Sequence, residues 1–118
     1  MSEIFNVTRM ARTQLERARE GSAGRAAAHL YGGPQSMMTH TLIALVAGQK
    51  MHEHESPGEA TVLVVEGQVT MGTADEAATV EGQAGDLLRV PLERHWLQAA
   101  TDSVILLTAA KTRGHDAG

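Results

Sequence analysis

The chain has no cysteine, which excludes disulfides, thiolate zinc sites and cysteine nucleophiles and leaves His, Asp and Glu to hold any metal. Aromatic residues are nearly as scarce. Phe5, Tyr31 and Trp96 are the only ones, so the core has to be aliphatic, filled by Val, Leu, Ile, Ala and six Met, and stacking on nucleic-acid bases has little support. Positive charge is not in surplus. The net charge is −4, and Arg alternates with Glu in RMARTQLERARE, so no sustained basic surface is available for a phosphate backbone and nucleic acid is not an expected partner. Long apolar runs are also missing. MSEIFNVTRMARTQLERARE at the start lacks the apolar stretch of a leader peptide, and no later segment approaches the roughly 20 residues that cross a bilayer. The expected location is cytoplasmic, with no membrane partner.

What the chain does have is a clear change of pattern. At 118 residues it suits one domain with a single modest core. Val7, Met10, Ala11, Leu15 and Ala18 recur at helical spacing, with Asn6 or Thr8 able to cap the start and Gly21 to end it. This predicts one amphipathic helix near residues 7 to 20, packed on the core or on a second subunit. After GSAG come short apolar segments divided by turn residues: RAAAHLY, MMTHTLIALVAG, the histidine segment, TVLVVE, VTMGT, ATVEGQAGD, LLRV, HWLQAA and VILLTAA. They predict about nine strands and an all-β fold, a small sandwich or barrel with one short N-terminal helix. The expected division is a helical arm over 1–24, a β-barrel over 25–110 and a flexible tail over 111–118. Glycines at 32, 33, 48, 58, 67, 82 and 85 read as turn punctuation, since none forms a phosphate-loop pattern.

The chemistry concentrates in MHEHESPGEATVLVVEG, residues 51–67. In a regular strand, His52 and His54 point the same way with Cβ atoms roughly 7 Å apart, so both rings can converge on one ion. The plainer alternative is a polar loop leading into TVLVVE. His29 and His40 each stand alone in an apolar pattern and read as ordinary core or surface histidines, although His40 would line a pocket if its strand passed the site. His115 lies in the tail. No Gly-x-Ser-x-Gly elbow supports serine hydrolysis.

With these residues in place the sequence resembles the cupin family, small β-barrels of the jelly-roll type. The family's first motif orders Gly, His-x-His, Glu and Gly, and Gly48, His52-Glu53-His54, Glu59 and Gly67 follow that order. The second motif is matched by GDLLRVP through Pro91, followed by His95. The resemblance spans roughly residues 40 to 110. It implies a jelly-roll β-barrel with a metal held by His52, His54 and His95, and Met38, His40 and Leu97 as candidate pocket residues.

The departures are specific. The family's metal-binding Glu falls on Ala60, and Glu59 is one residue early, which in a strand reverses the face unless Ser56-Pro57-Gly58 introduces a bulge. PLERH lacks the motif's Gly, brings His95 one residue early and is followed by Ala99 where the motif has Asn. If His95 faces inward, Trp96 faces the opposite side and serves packing or an interface.

Three neutral imidazoles would leave a divalent ion its full charge and open positions, favouring a small anionic oxygen ligand. Fe, Mn, Ni and Zn are all candidates, and the resemblance implies dioxygenase, isomerase or decarboxylase chemistry without naming a general base, so enzyme status stays open. The alternative is a metal-free small-molecule-binding or regulatory cupin, for which Ala60 is the best argument. A homodimer is expected, because an incompletely closed barrel has edge strands to cover.

Overall fold

The structure, a computed structural model, describes residues 3–54, 58–73 and 79–111, with only the backbone described at Glu53 and His54. The chain opens with helix α1 (Val7–Glu20) and continues through nine strands: β1 (Arg25–Tyr31), β2 (Met38–Leu45), β3 (Lys50–His54), β4 (Gly58–Glu66), β5 (Gln68–Thr73), β6 (Thr79–Gln83), β7 (Leu87–Arg89), β8 (His95–Ala99) and β9 (Ser103–Lys111). They form a sheet of order β1-β2-β9-β4-β7 and a smaller one of order β3-β8-β5-β6, antiparallel throughout. Among the described residues no helix is long and apolar enough to cross a membrane.

Helix α1 starts where Asn6, in an extended conformation, accepts the Arg9 N–H on its side chain at 2.9 Å. That satisfies one of the amides a first turn leaves without an intrahelical partner. Arg17 and Arg19 lie in the last turn, where positive charge offsets the helix dipole. The buried stripe is Ala11, Gln14, Leu15 and Ala18. It packs on the outer face of the larger sheet against Leu42, Ala44 and Val104.

Between the sheets lies the main core. In β4 the alternation is clean: Ala60, Val62 and Val64 are buried, while Glu59 is exposed and Thr61, Leu63 and Val65 are partly covered. From the inner faces, Ile43, Leu45, Val69, Met71, Leu97, Ala99 and Ile105 join Val62 and Val64. Strands β2 and β9 are covered on both faces, by the smaller sheet inside and α1 outside. Leu42, Ala44 and Val104 therefore sit in one cluster and Ile43, Leu45 and Ile105 in the other. This double burial is why LIAL and VIL read as unbroken apolar runs.

The glycine pattern is partly structural in another sense. Gly67 has φ +87, and a Cβ there would run into the Asp102 carbonyl and the Ser103 side chain, so the tight β4–β5 turn needs glycine. Of the glycines expected in turns, Gly58 is the first residue of β4 and Gly82 lies inside β6. Close packing explains Gly82: a Cβ there would meet Leu88 at 3.1 Å. The other end of the chain also differs slightly, since β9 takes in Lys111, whose ammonium donates to the Pro34 carbonyl at 2.8 Å. Residues 112–118, including His115, lie outside the described residues.

Candidate metal centre

Strand β8 is central to the smaller sheet at the site, with β3 on one side and β5 on the other. Its first residue, His95, is the register partner of His54 on β3 and of Thr73 on β5. One row further in, Leu97 pairs with Met51 and Met71. His95 and Leu97 are two residues apart and share the inner face. Burial agrees, at 5% exposure for His95 and 4% for Leu97.

The His95 ring is oriented by its own chain. Its Nδ1 lies 3.0 Å from the Glu93 carbonyl oxygen. A carbonyl only accepts, so Nδ1 carries the proton, and in the neutral ring Nε2 bears the lone pair. Ligating histidines are commonly fixed in this way, one nitrogen donating to a carbonyl and the other presented to the ion.

The pairing of β3 with β8 is not regular. Met51 pairs with Leu97 and His54 with His95, three steps on one strand against two on the other. His52 and Glu53 together therefore oppose Trp96, in the manner of a β-bulge. The strict alternation that would put His52 and His54 on one face is not kept, and the His52 side chain is exposed. A bulge is invisible to a two-residue count, because it depends on how the partner strand pairs. The side chain of His54 lies outside the described residues.

The acidic candidate is placed by the same parity. Ala60, 8% exposed, is on the inner face of β4 and pairs with Ala109. Glu59 is exposed and pairs with Ala110, so no bulge rotates it inward. It opens onto a cleft of about 940 Å³, lined also by Ala60, Arg89, Val90, Leu92, Glu93 and Thr108. The charged residues of this cleft, Glu59, Arg89 and Glu93, are all exposed, and among the described residues no histidine lines it. The histidine row is thus the better candidate for metal chemistry. Among the described residues no three His, Asp or Glu side chains form a metal-binding group, a set that does not include the side chain of His54.

Of the expected pocket residues, Leu97 is brought together with His95, but Met38 and His40 are not. Both share the outer face with Leu42, which packs beneath α1, so they lie on the far side of the larger sheet from His95. There His40 Nδ1 meets Thr108 Oγ1 at 2.9 Å, its ring is 6.1 Å from that of Tyr31, and Met38 is 42% exposed. His29 is occupied locally: Nε2 donates to the Gly32 carbonyl at 2.6 Å, leaving Nδ1 to accept from Thr41 Oγ1 at 3.3 Å. Trp96 faces away from His95. Its indole N–H donates to the Thr73 carbonyl at 3.2 Å and the Lys50 ammonium sits 4.6 Å from its ring centroid.

Three residues at the site carry no motif in the sequence: Thr73, Met51 and Met71. Thr73 is the neighbour of His95 in the sheet, and the two methionines line the inner pocket with it. The alternation Val69, Met71, Thr73 marks these as one face of β5, but which histidine they meet depends on strand order.

No family model matches the chain, and no curated protein matches it. Among solved structures it is similar to a cupin superfamily protein from Desulfitobacterium hafniense DCB-2, with 17% identity over 75% of this chain and 78% of that one and a TM-score of 0.67. It is also similar to a conserved protein of unknown function from Streptococcus pyogenes, with 20% identity, 95% and 90% coverage and a TM-score of 0.71. A third similarity is to a salicylate 1,2-dioxygenase from Pseudaminobacter salicylatoxidans, with 20% identity and a TM-score of 0.71, covering 92% of this chain and 34% of that one. Likeness at such identities concerns architecture, because one fold hosts many chemistries. The two stacked antiparallel sheets, their order and these neighbours agree: the chain has the cupin fold.

Proposed function

We propose that this protein binds a divalent metal at the β3–β8 pair through His95, His54 and His52, and acts there on a small anionic metabolite in the cytoplasm. The observation that carries the reading is the His54–His95 register pair, with the His95 ring already oriented by the Glu93 carbonyl. His52, exposed at the bulge and opposite Trp96, would join the set only by turning its ring over the end of the strand from the solvent side. Glu59 is left out, because it is exposed on the strand face opposite buried Ala60. Of the candidate ions, Fe, Ni and Zn suit imidazole, while Mn takes oxygen ligands more readily. A set without a carboxylate leaves the ion its full positive charge, which favours an anionic, chelating oxygen ligand and reactions of the dioxygenase, isomerase or decarboxylase type.

Elemental analysis of the untagged protein and of His52→Ala and His95→Ala tests this. Near-stoichiometric metal in the parent and little in either variant is the expected result. Protein that stays metal-free after incubation with Fe(II), Mn(II), Ni(II) and Zn(II) would overturn it.

One observation favours a second reading, a metal-free binding or regulatory protein: Ala60 makes the inner face of β4 apolar where the resemblance calls for a carboxylate. Under that reading both alanine variants leave ligand binding unchanged. A homodimer belongs to either reading. Strand β1 is a sheet edge of seven residues without Lys, Glu, Asp or Pro, which favours pairing with a second copy.

A further inference from the structure

Helix α1 packs on Leu42, Ala44 and Val104 of the larger sheet's outer face. Two residues before Leu42 on β2, and on the three strands beyond it, the same face carries one polar side chain per strand. His40 pairs with Thr108, Thr108 with Thr61, and Thr61 with Arg89. Alternation puts all four outside, since Leu107, Val62 and Leu88 beside them belong to the core between the sheets. Facing residues on adjacent strands have Cβ atoms roughly 4.5–5.5 Å apart, so Thr108, Thr61 and Arg89 can reach one small group together. Glu59, two residues from Thr61, shares that face of β4 one row on.

The row is chemically two-sided. The Arg89 guanidinium offers a fork of N–H donors matched to a carboxylate, and the two threonines add hydroxyls beside it. Thr108 Oγ1 lies 2.9 Å from His40 Nδ1. With the proton on Nδ1, the histidine donates and Thr108 keeps its own proton for a ligand. Both threonines and His40 are half-buried, so their positions are held by the sheet. Against the one guanidinium stand two carboxylates, Glu59 and Glu93, lining the same cleft, yet among the described residues none of the three forms an ion pair. That balance disfavours a free phosphate dianion and suits a ligand that carries both signs. Leu92 adds an exposed aliphatic wall.

We propose that this cleft binds a small zwitterion, an α-amino acid with an aliphatic side chain. Arg89, Thr61 and Thr108 take its carboxylate, Glu59 and Glu93 its ammonium, and Leu92 its side chain. A simple carboxylate leaves the glutamates without a partner, and a simple amine leaves Arg89 without one. The site stands apart from the metal reading, because its polar row lies on the outer face of the larger sheet and His95 on the inner face of the smaller one.

L-Leucine is the probe, titrated calorimetrically into the full chain after dialysis against a chelator, so that no amino acid can bind through a metal. Isocaproate, which lacks the ammonium, and isoamylamine, which lacks the carboxylate, are the comparisons. The expected result is one saturable leucine site, with either comparison at least about tenfold weaker, as the loss of a charge-assisted bond implies. Arg89→Gln and Glu59→Gln should each weaken leucine about tenfold, with an unchanged urea midpoint showing each variant folded. Glu59→Gln should leave isocaproate no weaker, and His95→Ala should leave leucine binding as it is. No saturable leucine binding, comparisons that bind as tightly as leucine, or affinity indifferent to both cleft variants would overturn the proposal. So would loss of leucine binding in folded His95→Ala, which would move the ligand to the histidine row.

Discussion

Trp96 on β8 lies over Gly72 on β5: the two are register partners, and a Cβ built on Gly72 would come within 2.6 Å of the indole Cζ2. Glycine in mid-strand usually weakens a sheet, and here the missing side chain is replaced by an aromatic plane. The same ring receives Lys50 and bonds the Thr73 carbonyl, so one residue ties β3, β8 and β5 together next to the histidine row. Gly72→Ala should displace the indole and destabilise the protein by about 1–3 kcal/mol, as overpacking does. Urea unfolding followed by Trp96 fluorescence would read this, and an unchanged midpoint would mean that the ring moves aside at no cost.

Gln14 is a buried polar residue in an otherwise apolar helix face. It is 4% exposed, and its Oε1 has no hydrogen-bond partner among the described residues. An unsatisfied buried acceptor costs about 1–3 kcal/mol. Gln14→Leu, close in volume and set among Ala11, Leu15 and Ala18, is therefore expected to raise stability by about 1 kcal/mol. A lower thermal midpoint in the variant would show that the amide has a role the packing does not reveal.

Asp102 fastens the helix to the barrel. It accepts the Ala47 N–H at 2.8 Å and Arg19 Nε at 2.9 Å, and these bonds, the Ala47 one foremost, hold its carboxyl below the usual value. A depressed folded pKa contributes stability above the unfolded value of about 3.9, lost as pH falls through the folded one. Asp102→Asn should therefore be the less stable protein near neutral pH, by about 1 kcal/mol or less for so exposed a pair, and should converge with the parent below about pH 4. Urea titrations near pH 7 and pH 3 would show a gap that closes. A constant gap would assign the effect to geometry rather than charge.

Ala60 offers a gain-of-function test of the metal reading. Its side chain is on the inner face where the resemblance places a carboxylate, so Ala60→Glu is expected to raise metal affinity about tenfold or more. The same change should destabilise the metal-free protein, because a buried carboxylate without a partner is costly. Metal titration at two pH values adds a second check: ligating imidazoles must be neutral, so affinity in the parent should fall as pH drops through about 6. Tighter binding absent in Ala60→Glu, together with affinity unchanged between about pH 7 and 5, would count against a histidine site.

Much of this protein is decided by local rules that a sequence displays. The apolar spacing of Val7 to Ala18 and the Asn6 cap determine α1, and alternation in TVLVVE determines which side chains of β4 face inward. That same parity is enough to put Glu59 on the face opposite Ala60, turned away from a metal between the sheets. What the sequence left open depends on contacts between segments distant along the chain. Met38 and His40 are candidates for a pocket with Leu97 because each lies in an apolar strand, but only the covering of the larger sheet by α1 decides that their face is the outer one. His52 and His54 look equivalent as His-x-His, and the extra residue that breaks their alternation appears only in how β3 pairs with β8. The pairing of His95 with His54 and Thr73 follows from strand order. Strand order is fixed by burial summed over the whole domain, which no short window of sequence contains.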